Sequence, residues 1–165
     1  MLIGVPKETI AGELRAPLVP ASVKKLVKLG LEVAVEASRG EAAGFADAAY
    51  VEAGARIETD RAALLGAADL VLRIRKPSDE DVALLKAGAM HASLLDPFNE
   101  RGLIDKLAAK GVTAISMEMV PRSTRAQKMD VLSSQANLAG YVTLMLAARQ
   151  INKIFPMMMT PAGTI

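Results

Sequence analysis

The chain contains no cysteine and no tryptophan, and aromatic residues make up only 3% of its 165 positions. Without cysteine, a disulfide scaffold, a thiolate zinc site and a cysteine nucleophile are excluded. The scarcity of aromatic side chains argues against recognition of bases or sugars by stacking. A single histidine, His91, leaves little for a metal site or a serine–histidine catalytic pair. We therefore predict no metal site and assign no catalytic residue.

Glycine-rich phosphate-binding motifs are also absent. The twelve glycines never fall in the spacing G-x-G-x-x-G or G-x-x-x-x-G-K-[ST], so the chain has neither the dinucleotide fingerprint nor the P-loop. The net charge is only +2, and the basic residues are spread along the sequence, whereas a nucleic-acid-binding domain presents a basic stripe. We expect no nucleic-acid partner.

One uncharged segment is long enough to be considered as a membrane span. Val131–Ala148 runs for eighteen residues without a charge, close to the roughly 20 residues that a spanning helix needs. Five polar residues interrupt it, namely Ser133, Ser134, Gln135, Asn137 and Thr143. We therefore interpret the segment as a buried helix, and we expect a soluble chain with no transmembrane segment of its own.

Short apolar runs alternate with helical segments from the first residue onward. The runs predict strands at 2–5, 31–36, 55–58, 69–75, 89–94 and 112–117. Between them, helices are predicted at 20–29, 47–53, 59–66, 78–87 and 99–110. Such alternation is typical of an α/β fold in which helices cover both faces of a mostly parallel sheet. We predict a doubly wound, flavodoxin-like or Rossmann-like domain followed by a long C-terminal linking helix.

The pattern changes after residue 130, and this change sets the predicted domain organisation. Residues 1–130 form the α/β domain, and residues 131–155 form one linking helix of about 35 Å at 1.5 Å per residue. Residues 156–165 are apolar and interrupted by proline, which is typical of a linker. We expect this linker to lead towards an NAD-binding Rossmann domain that is absent from the chain.

A polar loop before the long helix is the strongest candidate site. Hydrogen-bonding side chains crowd this short stretch, namely Arg122, Arg125, Gln127, Asp130, Ser133, Ser134, Gln135 and Asn137. Loops carry function more often than the elements they connect. Asp130 stands directly before an apolar run, where an aspartate caps a helix, and we favour that role over catalysis. Gln127 has no structural role that would explain it.

Cationic residues gather at the predicted carboxyl edge of the sheet, where open α/β sheets bind their ligands. Arg15 follows the first strand, Arg73 and Arg75 end the fourth, and Arg122 follows the sixth. Together they would suit an anionic or amide-bearing ligand. The alternative interpretation is that they are the solvated ends of their elements.

Several sequence segments resemble one known family. They are Gly4-Val-Pro-Lys-Glu8 with Arg15, then Gly88, then the block from Pro121 to Tyr141, and finally Phe155-Pro-Met-Met-Met-Thr-Pro-Ala-Gly-Thr164. The chain resembles the α subunit of proton-translocating NAD(P) transhydrogenase, in the N-terminal part of its NAD(H)-handling domain I. The family belongs to the alanine dehydrogenase/transhydrogenase superfamily. The resemblance covers the whole chain, and its most specific part begins at Arg122.

The resemblance implies roles for the polar loop. It places Arg122, Gln127 and Asp130 beside a nicotinamide ring and makes Ser133 a nearby cofactor contact. A carboxamide needs donors and acceptors, and these side chains offer both. The implied function is that of the NAD(H)-side component, which positions the nicotinamide for direct hydride transfer from NADH to NADP⁺. We expect the chain to be inactive alone.

The resemblance also implies partners. NAD(H) would be bound mainly through a separate Rossmann domain, NADP(H) would lie on another subunit, and a membrane domain would couple hydride transfer to proton movement. The long apolar helix predicts a hydrophobic surface that a partner covers, so a homodimer or a hetero-complex is expected. Through the complex, the chain would be a peripheral component on the cytoplasmic face of the inner membrane.

Two other functions remain open. An alanine-dehydrogenase-like enzyme would share the first motif and Arg15. The resemblance, however, places Arg73 or Arg75 at that enzyme's lysine and Asp96 at its acid–base histidine. We favour a hydrogen-bonded core role for His91 over that of a substitute base. The last alternative is a non-catalytic assembly module, which would bind a Rossmann partner through the long helix without touching NAD.

Overall fold

The computed structural model of the chain describes residues 1–152, 159–160 and 163–164. It contains two compact units, Met1–Val120 and Pro121–Ile165. The boundaries inferred from the sequence, at 1–130, 131–155 and 156–165, stay predictions. The first unit holds the α/β sheet, and the second holds the polar loop and the long helix.

The first unit alternates strands and helices as the sequence predicts. Its strands are β1 Leu2–Val5, β2 Glu32–Glu36, β3 Arg56–Glu58, β4 Leu70–Arg75, β5 Met90–Leu94 and β6 Thr113–Ser116. Its α-helices are α1 Pro20–Lys28, α2 Asp47–Glu52, α3 Arg61–Ala67, α4 Asp79–Leu84 and α5 Arg101–Ala109. Every one of these elements overlaps a predicted one, so the periodicity of the sequence located them correctly.

The six strands form one parallel sheet in the order β3-β2-β1-β4-β5-β6. The predicted doubly wound α/β fold is confirmed. Of the two variants left open, this is the Rossmann order rather than the flavodoxin order, because β4 pairs with β1 on the side away from β2. The direction of sheet growth reverses between β1 and β4, which brings the loops after these two strands to the same edge.

Local sequence signals explain where the helices begin. Pro20 occupies the first turn of α1, where its missing N–H costs nothing. The Asp60 side chain accepts hydrogen bonds from two backbone N–H groups of α3, and Ser78 caps α4 by accepting from the Asp81 N–H. These caps match the signals read from the sequence at Thr59–Asp60 and Ser78.

The core is split between the two faces of the sheet. One hydrophobic cluster contains Ile3, Val5, Val33 and Val35 with Val23 of α1 and Tyr50 of α2. The other contains Val71 with residues of α3, α4 and α5, namely Leu65, Val82, Leu103 and Leu107. Along β4, Val71 joins the second cluster while Leu70 and Leu72 pack against the first. Helices therefore cover both faces, as predicted from the alternation of side chains in a strand.

The long helix α6, Val131–Gln150, departs from the prediction in two ways. It ends at Gln150, where Ile151 takes an extended conformation, and the predicted continuation over 153–155 lies outside the described residues. Except for Val131 and Ala147, its residues are exposed. The expectation of a buried helix is therefore wrong within this chain. The misleading signal was composition, because an uncharged helix looks buried whatever covers it.

The length of α6 also bears on membrane insertion. Within the described part of the chain, it is one helix long and apolar enough to be a candidate span. This rests on length and composition alone and is weak evidence. Beyond it, β7 Met159–Thr160 and β8 Gly163–Thr164 form a two-stranded antiparallel pair in the segment predicted as a linker.

A buried carboxylate, Glu8, holds the carboxyl edge of the sheet together. The Glu8 side chain is only 1% exposed. It accepts hydrogen bonds from the backbone N–H groups of Ile74, at 2.7 Å, and Arg75, at 3.3 Å. The guanidinium groups of Arg39 and Arg73 each lie 3.5 Å from it. Glu8 therefore ties the loop after β1 to the end of β4 and to the loop after β2.

The charges continue from Arg73 in alternating order. Arg73 pairs with Asp81 of α4, Asp81 accepts from Arg61 Nε at 2.8 Å, and Arg61 Nη1 lies 2.6 Å from Glu36. Burial opposes ionisation of Asp81, but hydrogen bonds from Arg61 and the charge of Arg73 outweigh it and lower its pKa. With Arg39 and Glu8, three arginines and three acids form one neutral network.

His91 lies fully buried beneath this network. Its Nε2 is 3.1 Å from Ser93 Oγ. Burial, reinforced by the positive charge of Arg73, lowers the pKa of His91 from 6.5 to about 4. The imidazole is therefore neutral near pH 7, which supports the interpretation of a hydrogen-bonded core histidine.

Replacing Arg73 by methionine should destabilise the chain strongly, because Glu8 and Asp81 would then be buried without their shared cation. Loss of one partner from a buried pair costs about 3–5 kcal/mol. Urea unfolding should show this as a lower midpoint. Arg56→Met is the matched control: its side chain is 61% exposed, it lies 4.0 Å from Glu58, and it should change stability by under about 0.5 kcal/mol. Equal shifts for both variants would contradict the role of the network.

The buried His91 should make folding sensitive to acid. Its pKa is lower in the folded state, so the unfolded chain takes up the proton first and stability falls between pH 6.5 and about 4. At 1.36 kcal/mol per pKa unit, the loss from this group is at most about 3 kcal/mol. Urea unfolding of the native chain and of His91→Gln at pH 7.5 and 5 isolates the effect. A variant with an unchanged pH dependence would refute it.

Candidate functional site

Another carboxylate, Glu13, joins the first loop to the end of β4. It accepts hydrogen bonds from Arg15 Nε at 2.7 Å, Arg15 Nη2 at 2.6 Å and Arg75 Nε at 2.9 Å. The Glu13 side chain is 4% exposed, whereas those of Arg15 and Arg75 are 38% and 48% exposed. The hydrogen bond from Arg15 outweighs burial and lowers the pKa of Glu13 to about 2. Both arginines thus meet at the edge, as predicted, but share an internal carboxylate.

Arg73 does not belong to this exposed edge. It is 3% exposed and lies within the buried network. Both interpretations offered from the sequence, a ligand-facing cation and a solvated strand end, are therefore wrong for this residue. The physical reason is the alternation along β4, since Arg73 lies on the same face as Val71 and that face is covered by helices.

Asp96 lies at the end of β5, where an acid–base histidine would be expected in an alanine-dehydrogenase-like enzyme. Its backbone takes a positive φ of 52°, which is uncommon outside glycine. Its carboxylate oxygens accept from Asn99 Nδ2 at 2.9 and 3.1 Å. The side chain is thus used to order a turn. His91, fully buried within β5, cannot replace the missing base at this edge.

The polar loop belongs to the second unit and closes on itself. The Ser123 carbonyl accepts from the N–H groups of Ala126, at 2.9 Å, and Gln127, at 3.0 Å. A single turn of 3₁₀ helix follows at Gln127–Met129. Ala126 is buried, whereas the side chains of Arg122 and Gln127 are exposed. The backbone therefore presents a guanidinium and an amide to solvent from one compact turn.

Asp130 ends the loop and caps α6. Its Oδ1 accepts from the Ser133 N–H at 2.9 Å, and its Oδ2 accepts from Ser133 Oγ at 2.6 Å. The hydrogen bonds from Ser133, aided by the charge of Arg122, lower the pKa of Asp130. The capping role favoured from the sequence is confirmed. The structure also brings Ser133 onto Asp130 and places the charge of Arg122 within reach of the same carboxylate.

The loop can bind an amide but offers nothing recognisable for a phosphate. It combines an ionised acceptor, Asp130, with potential donors on Arg122 and Gln127. Within residues 1–152, 159–160 and 163–164, no group of three or more His, Cys, Asp or Glu side chains could hold a metal ion. The cofactor roles assigned to Arg122, Gln127, Asp130 and Ser133 stay predictions.

The buried network is a feature that the sequence patterns do not predict. Glu8 belongs to the first motif, but no spacing in the sequence links it to Arg39, Arg61 or Asp81. One signal could have indicated the network: Arg73 stands at an inward-facing position two residues after Val71. A charge at such a position needs a buried counter-charge, and acids near the carboxyl ends of neighbouring strands were candidates.

Known proteins share the sequence that builds this fold and loop. Residues 4–139 match the family described as alanine dehydrogenase/PNT, N-terminal domain. The chain is 43% identical to the first of the polypeptides that form the NAD(P) transhydrogenase alpha subunit of Rhodospirillum rubrum, with 100% of this chain and 44% of that protein covered. It is 35% identical to alanine dehydrogenase of Halomonas elongata, with 93% and 41% covered. The chain thus spans less than half the length of these relatives.

Solved structures agree with the sequence comparison. A transhydrogenase from Sinorhizobium meliloti superposes with a TM-score of 0.89 at 42% identity, covering 100% of this chain and 49% of that one. An L-alanine dehydrogenase superposes with a TM-score of 0.71 at 34% identity, covering 76% of this chain and 34% of that one. The expected resemblance to the N-terminal part of transhydrogenase domain I is confirmed, and the chain belongs to the alanine dehydrogenase/PNT N-terminal domain family.

Proposed function

We propose that the chain is the NAD(H)-side component of a proton-translocating transhydrogenase, in which the polar loop positions the nicotinamide for direct hydride transfer from NADH to NADP⁺. The observation that carries this proposal is the Asp130 carboxylate, fixed at the start of α6 with its pKa lowered. Arg122 and Gln127 are exposed in the same short loop. The similarity to NAD(P) transhydrogenase subunits of Rhodospirillum rubrum and Haemophilus influenzae supports the assignment.

The side chains of the loop fit a nicotinamide carboxamide. An ionised carboxylate is only an acceptor, so Asp130 would receive the amide N–H of the ligand. Arg122 and Gln127 would donate to its carbonyl oxygen. The chain has no glycine-rich loop for the diphosphate. The diphosphate would therefore be held by the Rossmann domain to which 156–165 leads, and this chain would close only the nicotinamide side.

The chemistry requires orientation rather than acid–base catalysis. The dihydronicotinamide supplies a hydride from its C4, which passes to C4 of the nicotinamide of NADP⁺ and yields NAD⁺ and NADPH. The residues of this chain would hold the ring in one orientation and exclude water from it. This demand suits a chain whose one histidine is buried and neutral. No side chain has to gain or lose a proton.

The remaining components would come from partners. NADP(H) would lie on another subunit, and a membrane domain would couple hydride transfer to proton movement on the cytoplasmic face of the inner membrane. The exposed apolar surface of α6 supports association, as a homodimer or within the complex. It includes Leu138, Tyr141 and Leu144, which are 58%, 66% and 58% exposed.

An alanine-dehydrogenase-like activity is the second candidate, favoured by the 34% identical L-alanine dehydrogenase structure. Three observations weigh against it. Asp96 stands where a proton-transferring histidine would be needed, and its carboxylate is engaged by Asn99. His91 is buried. Arg15, the residue shared with those enzymes, is paired with Glu13.

Changing the loop should slow hydride transfer without disturbing assembly. In the complex reassembled with the Rossmann and NADP-binding domains, Gln127→Asn and Asp130→Asn should each reduce the transfer rate by about tenfold or more, since each misplaces or removes a hydrogen bond to the ring. Lys128→Gln, exposed in the same turn, is the control and should keep the native rate. Native rates in both loop variants would instead favour the non-catalytic assembly module.

The division of the cofactor between domains predicts how NADH binds. Titration of the isolated chain, followed by NADH fluorescence, should show no saturable binding, because the diphosphate has no glycine-rich loop here. Binding should appear when the Rossmann domain is added. Tight binding to the chain alone would overturn the proposed division and reveal a phosphate site among its own loops.

A further inference from the structure

Ser133 makes an unusually complete contact with Asp130. Its backbone N–H donates to Oδ1 at 2.9 Å, and its hydroxyl donates to Oδ2 at 2.6 Å. A helix cap needs only the first of these bonds. The second leaves neither carboxylate oxygen free to rotate, so the plane of the carboxylate is fixed relative to the first turn of α6.

We propose that Ser133 is a positioning residue, which acts on the nicotinamide through Asp130 and does not contact the carboxamide itself. This inference rests on the proposed function and revises the role that the family resemblance implied for Ser133. In that role Ser133 was a nearby cofactor contact, on the same footing as Asp130. Here Asp130 is the ligand-binding group and Ser133 is its support.

The first argument is the limited number of hydrogens on a serine side chain. A hydroxyl group carries one proton to donate, and that of Ser133 is directed at Asp130 at a distance typical of a charge-assisted bond. To donate to a cofactor oxygen, Ser133 would have to break this bond and leave Asp130 held by one contact. Arg122 and Gln127 already supply donors that require no such exchange.

The second argument concerns the carboxylate. The amide of a nicotinamide approaches from a fixed direction, and an acceptor misplaced by about 1 Å can cost a hundredfold in rate. Asp130 is otherwise a short side chain at the border of a loop, with rotation about its last bond resisted only by its contacts. The hydrogen bond from the Ser133 side chain is also the largest cause of the lowered pKa of Asp130. It therefore favours the ionised form that accepts.

The adjacent serine provides a matched control. Ser134 Oγ donates to the Val131 carbonyl at 3.1 Å, a bond within the helix backbone. Ser134 occupies the same turn of α6 and is likewise exposed, but the structure gives it no contact with Asp130. Removing its hydroxyl disturbs the helix as much as removing that of Ser133, while sparing the carboxylate.

The test is a double-mutant cycle on hydride transfer in the reassembled complex. Ser133→Ala should slow single-turnover transfer by about tenfold, the effect expected of one hydrogen bond to a charged group. Ser133→Thr should restore most of the rate, and Ser134→Ala should leave it unchanged. The Asp130→Ala/Ser133→Ala double variant should be no slower than Asp130→Ala alone, because Ser133 has nothing left to position.

Other results would overturn the inference. If the effects of Ser133→Ala and Asp130→Ala multiply, Ser133 contacts the cofactor directly. If Ser133→Ala is as fast as the native chain, or Ser134→Ala is equally slow, Ser133 has no specific role. Helix content measured by circular dichroism should match between the two serine variants, since the backbone cap survives in both.

The failure of this inference is distinguishable from the failure of the proposed function. If Gln127→Asn and Asp130→Asn transfer hydride at the native rate, the loop does not serve the nicotinamide, and both proposals fall. If these two variants are slow while the cycle shows independent effects, the proposed function stands and only the positioning role of Ser133 is lost.

Discussion

The buried carboxylate of Glu8 is the constraint on which the sheet edge depends. It satisfies two backbone N–H groups at the end of β4 and lies 3.5 Å from the guanidinium groups of both Arg39 and Arg73. A buried charge is tolerated only when its partners are in place. The loop after β1 can therefore take its position only if β2 and β4 have already placed their arginines. This couples the three central strands to one loop and fixes the edge more firmly than apolar packing would.

The two units divide the work between rigidity and recognition. In the first unit, the exposed arginines Arg15 and Arg75 are engaged by Glu13, and His91 is neutral and buried. In the second, Arg122 and Gln127 are exposed and Asp130 is ionised at a helix start. Charge in the first unit is satisfied internally, whereas in the polar loop it remains available to a ligand. That contrast is the physical reason for placing the site in the loop.

Much of the fold could be predicted from the sequence, because local signals determine it. Strand alternation and the caps at Asp60 and Ser78 located the elements of the first unit. Two features could not be predicted in this way. The pairing of Arg73 with Glu8 joins residues far apart in the chain, and no periodicity reports such a contact. The exposure of α6 was missed because apolar composition records the need for a cover without saying whether the same chain provides it. In the candidate site, the cap at Asp130 was predictable from spacing, whereas the second bond from Ser133 depends on a rotamer.

The absence of an acid–base group becomes informative once the positions of the polar residues are known. Amino-acid dehydrogenation needs a group that exchanges a proton with substrate, and Asp96 and His91 are both unsuited to that task in this fold. Direct hydride transfer between two nicotinamides needs no proton exchange, but it needs two rings held at a fixed separation. A carboxylate that is ionised, capped and held through both oxygens answers the second demand and not the first. The chemistry of Asp130 therefore favours hydride exchange over amino-acid oxidation, independently of the identities to known proteins.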